Sequence, residues 1–166
     1  MNKVDRTDLV DYLDTTPSEQ TPTWAIVGTG ITDKSTDYNA NVSEEHWIIN
    51  KNANKDVDGY ALSSGIEQTA YKGDDVFDFI DDIKYKLKTG TDAVTRYLEI
   101  FKYDVVDEGT PTYKARLWNV AISIDSNGGS GGEGVKINYT VNYKGDPTFG
   151  KVTFAAGKPT FTATTE

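Results

Sequence analysis

Between Val135 and Lys144 the chain alternates without a fault. Val135, Ile137, Tyr139, Val141 and Tyr143 are apolar, and Lys136, Asn138, Thr140, Asn142 and Lys144 are polar. A period of two puts the first set on one face of a strand and the second on the other. A strand with one wholly polar face belongs to an antiparallel sheet that meets water on that side. The segment before it repeats the pattern, with Trp118, Val120, Ile122 and Ile124 lining one face. The two are joined by Asn127-Gly128-Gly129-Ser130-Gly131-Gly132, a flexible hairpin tip. Strands are predicted over 23–27, 66–71, 96–103, 113–124, 135–143 and 148–154. Residues 158–166 form a last edge strand or a second arm. No strand–helix–strand rhythm is present, so the expected fold is mainly β: an antiparallel β-sandwich or half-barrel with one packed helix, a long loop and terminal arms.

The helix is predicted over 75–88. Asp74 follows Gly73 as its N-cap. Val76, Ile80, Ile83 and Leu87 recur at helical spacing as one apolar stripe. Acids Asp75, Asp78, Asp81 and Asp82 precede Lys84, Lys86 and Lys88, an order that suits the helix dipole at both ends. Gly90 is the expected stop.

Two stretches resist this reading. Residues 1–22 carry five acids and two Thr-Pro steps and read as an N-terminal arm. Residues 32–65 are rich in Asp and Asn, interrupted only by Glu45-His46-Trp47-Ile48-Ile49. A loop of that length is either disordered or functional. The domain proper is expected over 23–157.

The 166 residues suffice for one domain with a core. Seventeen basic against 26 acidic side chains give a net charge of −9, which argues against binding a phosphate backbone. Residues 1–90 hold 17 of those acids, so the acidity belongs to the arm, the long loop and the helix. With no cysteine, disulfides, thiolate metal sites and thiol nucleophiles are excluded. A single histidine, His46, has no second His or Cys with which to share a metal or a proton. Met1 to Asp14 lacks an apolar core, so no signal peptide is expected and synthesis is placed in the cytoplasm. The asparagine sequons at Asn41 and Asn138 are then chance patterns.

Other motifs weaken on inspection. Gly28-x-Gly30 follows a strand, but Asp33 stands where a dinucleotide fingerprint has its third glycine. Asn54-x-Asp56-x-Asp58-Gly59 opens like a calcium loop, yet Gly65 stands at the twelfth position, where a bidentate Glu is required. An Asx-rich turn is the preferred reading there. The helix carboxylates read as a solvated face. No catalytic residue, metal or cofactor is expected, and the chain is read as a non-enzyme.

The order of features resembles the major tail proteins (tail tube proteins) of long-tailed, non-contractile bacteriophages, of the type infecting Gram-positive hosts. The resemblance is carried by Thr23-Trp24-Ala25-Ile26-Val27-Gly28-Thr29-Gly30-Ile31-Thr32-Asp33, by Asp56-Val57-Asp58-Gly59-Tyr60, and by Gly73-Asp74-Asp75-Val76-Phe77-Asp78-Phe79-Ile80. The strand from Tyr113 to Ile124, Tyr143-Lys144-Gly145-Asp146-Pro147 and Phe149-Gly150 complete it. It spans most of residues 23–154 and lacks the appended immunoglobulin-like domain of some relatives. The resemblance implies a virion protein whose six copies close a ring by joining their sheets. The rings stack through a long loop and arms around a tape-measure protein, with tail terminator and distal tail proteins at the ends. DNA passes through the lumen without specific binding, and no membrane is involved. Carried onto this chain, the stacking loop holds Asp33, Asp37, Trp47, Asp56, Asp58 and Tyr60. The face of Lys136, Asn138, Thr140, Asn142 and Lys144 lines the lumen or the outer wall. An extracellular β-sandwich adhesion module, a small carboxylate or calcium-dependent enzyme, and the tube of a related tail-like injection machine are the alternatives.

Overall fold

The computed structural model describes residues 1–164. Among the described residues nine strands and one α-helix follow one another as β1 (Leu9–Asp14), β2 (Trp24–Ile26), β3 (Ala40–Glu45), β4 (Asn54–Tyr60), β5 (Ser63–Thr69), α1 (Asp75–Lys86), β6 (Val94–Asp107), β7 (Thr112–Gly128), β8 (Lys136–Ala155) and β9 (Lys158–Ala163). Seven strands make one antiparallel sheet in the order β2-β1-β6-β7-β8-β5, with β9 also pairing β8. Strands β3 and β4 form a separate two-stranded sheet. The expected architecture is therefore present: mainly β, antiparallel, curled into a half-barrel, with one packed helix.

The alternating residues behave as a period of two requires. Ile137, Tyr139 and Val141 are buried, and Val120 and Ile122 face them from β7. These side chains meet α1 through Val76, Phe77, Ile80 and Ile83, in a core that also takes Leu13, Ala25, Ile66, Tyr97 and Trp118. The opposite face holds a second core of Tyr12, Leu98, Ile100, Ala115 and Val152. It is enclosed because the sheet bends. Tyr12 of β1 and Phe154 of β8 have ring centroids 6.3 Å apart, although β6 and β7 lie between their strands. A flat sheet would hold those strands about 14 Å apart.

Several expectations are corrected. Residues 1–22 are not merely an arm. Leu9–Asp14 pairs β6 on one side and β2 on the other, with Leu13 wholly buried. Its two acids enter the interior because each meets a cation, Asp11 with Lys34 at 2.8 Å and Asp14 with Arg96 at 2.6 Å. Residues 32–65 are not a loop throughout, since they contain the β3–β4 hairpin. The two strands expected over 135–143 and 148–154 are one, Lys136–Ala155, whose ladder to β7 is interrupted by a register shift between Leu117 and Asn119. Val135 lies just outside it and is half exposed. The helix ends at Lys86, two residues before the expected 88, and Leu87 rather than Gly90 makes the stop: Leu87 takes a left-handed φ of 48° and the Lys88 amide donates to the Ile83 carbonyl. That turn swings Leu87 out of the apolar stripe into solvent, while Phe77, in the first turn of the helix, is buried with the stripe. Residues 158–163 form an edge strand on β8, and residues 165–166 of the expected C-terminal arm lie outside the described residues.

The helix acids are not bare. The Asp74 carboxylate accepts from the Phe77 amide at 2.9 Å, as an N-cap does. Lys72 pairs with Asp78, Lys84 with Asp81, and both Lys86 and Lys88 with Asp82. The hydrogen bonds from Lys86 and Lys88 hold the Asp82 carboxyl below its ordinary value. Such a group is a poor general acid.

One close approach on the second core predicts a mutational effect. A methyl group on Gly150 would stand 2.6 Å from the Phe161 ring and nearer still to the Thr162 carbonyl oxygen. Backbone cannot move aside without opening the β8–β9 ladder. Gly150→Ala is expected to cost about 1–3 kcal/mol, as overpacking does. Its melting temperature should fall by several degrees in a thermal scan, with β9 amides losing exchange protection first.

Candidate functional site

The β3–β4 hairpin stands away from both cores. Every residue of β3 is exposed, and so is most of β4. Its register runs from Ala40 opposite Tyr60 to Glu45 opposite Asn54, with a shift between Asn41 and Val42. Six residues at about 3.3 Å each carry the tip roughly 20 Å from the base. The tip is apolar and bare: Trp47 is 55% exposed, Ile49 82%, and Ile48 fully. Val42, Val57 and Tyr60 are also about half exposed. An isolated two-stranded sheet is marginal in water, and the apolar residues at its end, left exposed, add little to its stability.

What the hairpin does have is a firm base. The segment of residues 34–38 crosses the sheet face beyond α1 and is fastened by buried polar groups. Lys34 and Asp11 are both under one-tenth exposed. The Ser64 hydroxyl donates to the Ser35 carbonyl at 2.6 Å. Asp37 and Ser63 exchange both backbone hydrogen bonds, at 2.8 and 3.0 Å. The Glu99 carboxylate accepts from Arg116 at 2.9 Å, from the Trp118 indole at 2.8 Å and from the Tyr143 hydroxyl at 3.1 Å. Arg116 in turn donates to the Tyr38 hydroxyl at 3.1 Å, and Tyr38 packs edge-on against Tyr60 at 6.0 Å. Burial first, then Glu99, pushes the Tyr143 phenol well above its ordinary value, so it stays a donor. No local pattern marks Asp11, Lys34, Glu99 and Arg116, because each finds its partner far along the chain.

Of the residues assigned to the long loop, Trp47, Asp56, Asp58 and Tyr60 come together on the hairpin, while Asp33 and Asp37 lie in the segment leading to it. The Asx-rich turn expected at Asn54 to Gly59 is strand β4. Asp56 and Asp58 alternate on one face, and Asp58 accepts from the Ser43 hydroxyl at 3.0 Å. No group of three metal-ligating side chains occurs among the described residues.

The polar face of β8 is a second surface. Lys136 pairs with Glu67 of β5 at 2.6 Å. Asn138 donates to the Ser126 hydroxyl at 2.8 Å, Thr140 to Asp125 at 2.7 Å, and Asn142 to the Ser123 hydroxyl at 3.0 Å. Lys144 is exposed beside the Gly145-Asp146-Pro147 interruption. The four residues from Lys136 to Asn142 therefore lie flat on a wet sheet, tied to their neighbours. Among the described residues no helix is long and apolar enough to cross a membrane.

No protein-family model and no curated protein matches the chain. A solved structure does: a chain from the tail of an empty GTA particle, computed with helical refinement and C6 symmetry. The two are 16% identical, superpose with a TM-score of 0.60, and are covered to 89% in this chain and 98% in that one. At that identity the likeness is one of fold, and it extends over nearly the whole of both chains: this antiparallel half-barrel with one helix is also the fold of a subunit in a sixfold-symmetric tail.

Proposed function

We propose that the chain is a tail tube protein: six copies close a ring, rings stack into a tube, and the tube conducts DNA into a host cell. The observation that carries this reading is the shared fold with a subunit of a C6-symmetric tail, along nearly the full length of both chains. The bare hairpin supports it, because an exposed apolar tip on a rigid base is a liability in a lone subunit and an asset in an assembly. The charge supports it too, since six such chains multiply a net of −9 and a conduit for DNA must not hold it. In this reading the protein belongs to the virion tail, encloses a tape-measure protein and meets terminator and distal tail proteins at its ends. A tail-like injection machine would use the same subunit. Electron microscopy of the concentrated protein tests it. Tubes or rings with sixfold symmetry are expected, and monodisperse monomers at every concentration would overturn it.

The polar face of Lys136, Asn138, Thr140, Asn142 and Lys144 lines the lumen in this reading. Lys136 is neutralised by Glu67, and Asn138, Thr140 and Asn142 hydrogen-bond along the sheet, so the exposed Lys144 is what the face leaves for DNA to grip. Asn138→Arg is expected to form tubes yet slow DNA release from particles built with it, because each ring gains six cations that attract phosphate. Asn138→Asp should leave release unchanged. Equal release rates for Arg and Asp would put this face on the outer wall.

A further inference from the structure

The face that α1 covers at one end is bare at the other. Beyond the Glu99–Arg116 pair, β6, β7, β8 and β9 wall an open groove of about 800 Å³. Its apolar lining includes Phe101, Tyr103, Ala115 and Phe149, and its charges are Lys114, Arg116 and Lys151 against Asp104. Phe149 is 55% exposed with nothing over it. Arg116 is engaged by Glu99 and Lys114 by Asp104, while Lys151 is in no ion pair among the described residues. A second pocket of about 790 Å³, shared at Arg116 and Phe149, continues the groove to Tyr38 and Tyr60 at the hairpin base.

We propose that this groove receives the hairpin tip of a second copy of the chain, with Trp47, Ile48 and Ile49 against Phe101 and Phe149 and the acidic hairpin strands against Lys114 and Lys151. The inference rests on the self-assembly proposed above and names the receiving surface. Three observations select a second copy as the occupant. The chain's own tip does not fill the groove, since Trp47, Ile48 and Ile49 are all exposed. The charges are complementary: the hairpin carries Glu44, Glu45, Asp56 and Asp58 against Lys51 and Lys55, and the groove is net basic. The tip is apolar where the groove is apolar, and a tryptophan followed by two isoleucines is of a kind to anchor an interface. Knob and groove are different patches of one molecule, so the contact is head-to-tail and must either close a ring or run on along a filament.

Charge exchange tests it. Lys114→Glu/Lys151→Glu reverses the groove, and Glu44→Lys/Glu45→Lys reverses the tip. All four side chains are substantially exposed, so circular dichroism and melting should match the wild type. Each variant alone pairs like charges and is expected to lose at least tenfold in the concentration needed to assemble, read by sedimentation. An equimolar mixture pairs opposite charges at every contact and should assemble near the wild-type concentration. Variants that assemble alone as well as wild type would overturn the proposal, and so would a mixture no better than its components. Wild-type protein that forms tubes while either result holds would leave the tube reading standing without this contact. Wild-type protein that never assembles would sink both.

Discussion

Val141→Asp is expected to yield a chain that does not fold, while Asn138→Asp, three residues earlier on the same strand, folds normally. Val141 is wholly buried, opposite Ile122 on one side and Ser64 on the other. The Ser64 hydroxyl is already committed to the Ser35 carbonyl. Lys34 and Arg96, cations that reach the interior, are already committed to Asp11 and Asp14. Burying an unpaired charge costs several kcal/mol or forces protonation, against a total stability of about 5–15 kcal/mol for a domain. Asn138 lies on the polar face, half exposed, and its partner is a serine hydroxyl that can donate to a carboxylate as well as accept from an amide. Circular dichroism at neutral pH decides. A folded Val141→Asp chain, or an unfolded Asn138→Asp chain, would reverse the assignment of the two faces.

Asp14→Ala is expected to lower stability by about 3–5 kcal/mol, the usual result of removing one partner from a buried ion pair. Asp14 is fully buried. One carboxylate oxygen accepts from Arg96 Nε at 2.7 Å and Nη2 at 2.6 Å. The other accepts from the amides of Thr16 at 3.0 Å and Thr23 at 2.9 Å. Arg96 also donates to the Glu19 and Gln20 carbonyls at 2.7 and 3.1 Å, so this one pair organises the whole connection from β1 to β2. Without the carboxylate, two backbone amides and a guanidinium lose their acceptor together. The melting temperature should fall by about 6–20 °C, at 2–4 °C per kcal/mol for a chain of this size. Hydrogen exchange at Trp24–Ile26 should rise first, because β2 is only three residues long and lies at the edge of the sheet beside β1. Asp14→Asn keeps an acceptor and should lose less. A fall below about 2 °C for the alanine variant would mean that the pair contributes little.

Periodicity alone was enough to assign the first half of β8, most of β7 and the body of α1. The alternation at 135–144 decided which face of β8 would be buried, and the stripe Val76, Ile80, Ile83 decided which side of α1 would meet it. These are local properties: a strand's period of two and a helix's period near four are written in adjacent residues. The polar character of the Lys136–Asn142 face was legible for the same reason. Leu9–Asp14 was not, because its place in the sheet rests on partners more than 80 residues away, among them Thr95, whose hydroxyl donates to the Asp14 carbonyl. Two acids in six residues speak for solvent until Lys34 and Arg96 are seen to neutralise them. Strands β3 and β4 escaped notice because both their faces are wet, so no alternation was required of them. The C-terminal turn of α1 turned on the backbone of Leu87, a residue whose type gives no hint of a left-handed conformation. The groove at Phe101 and Phe149 is the clearest case. It exists only where β6, β7, β8 and β9 lie side by side, and a surface built from four strands at once has no signature in any one of them.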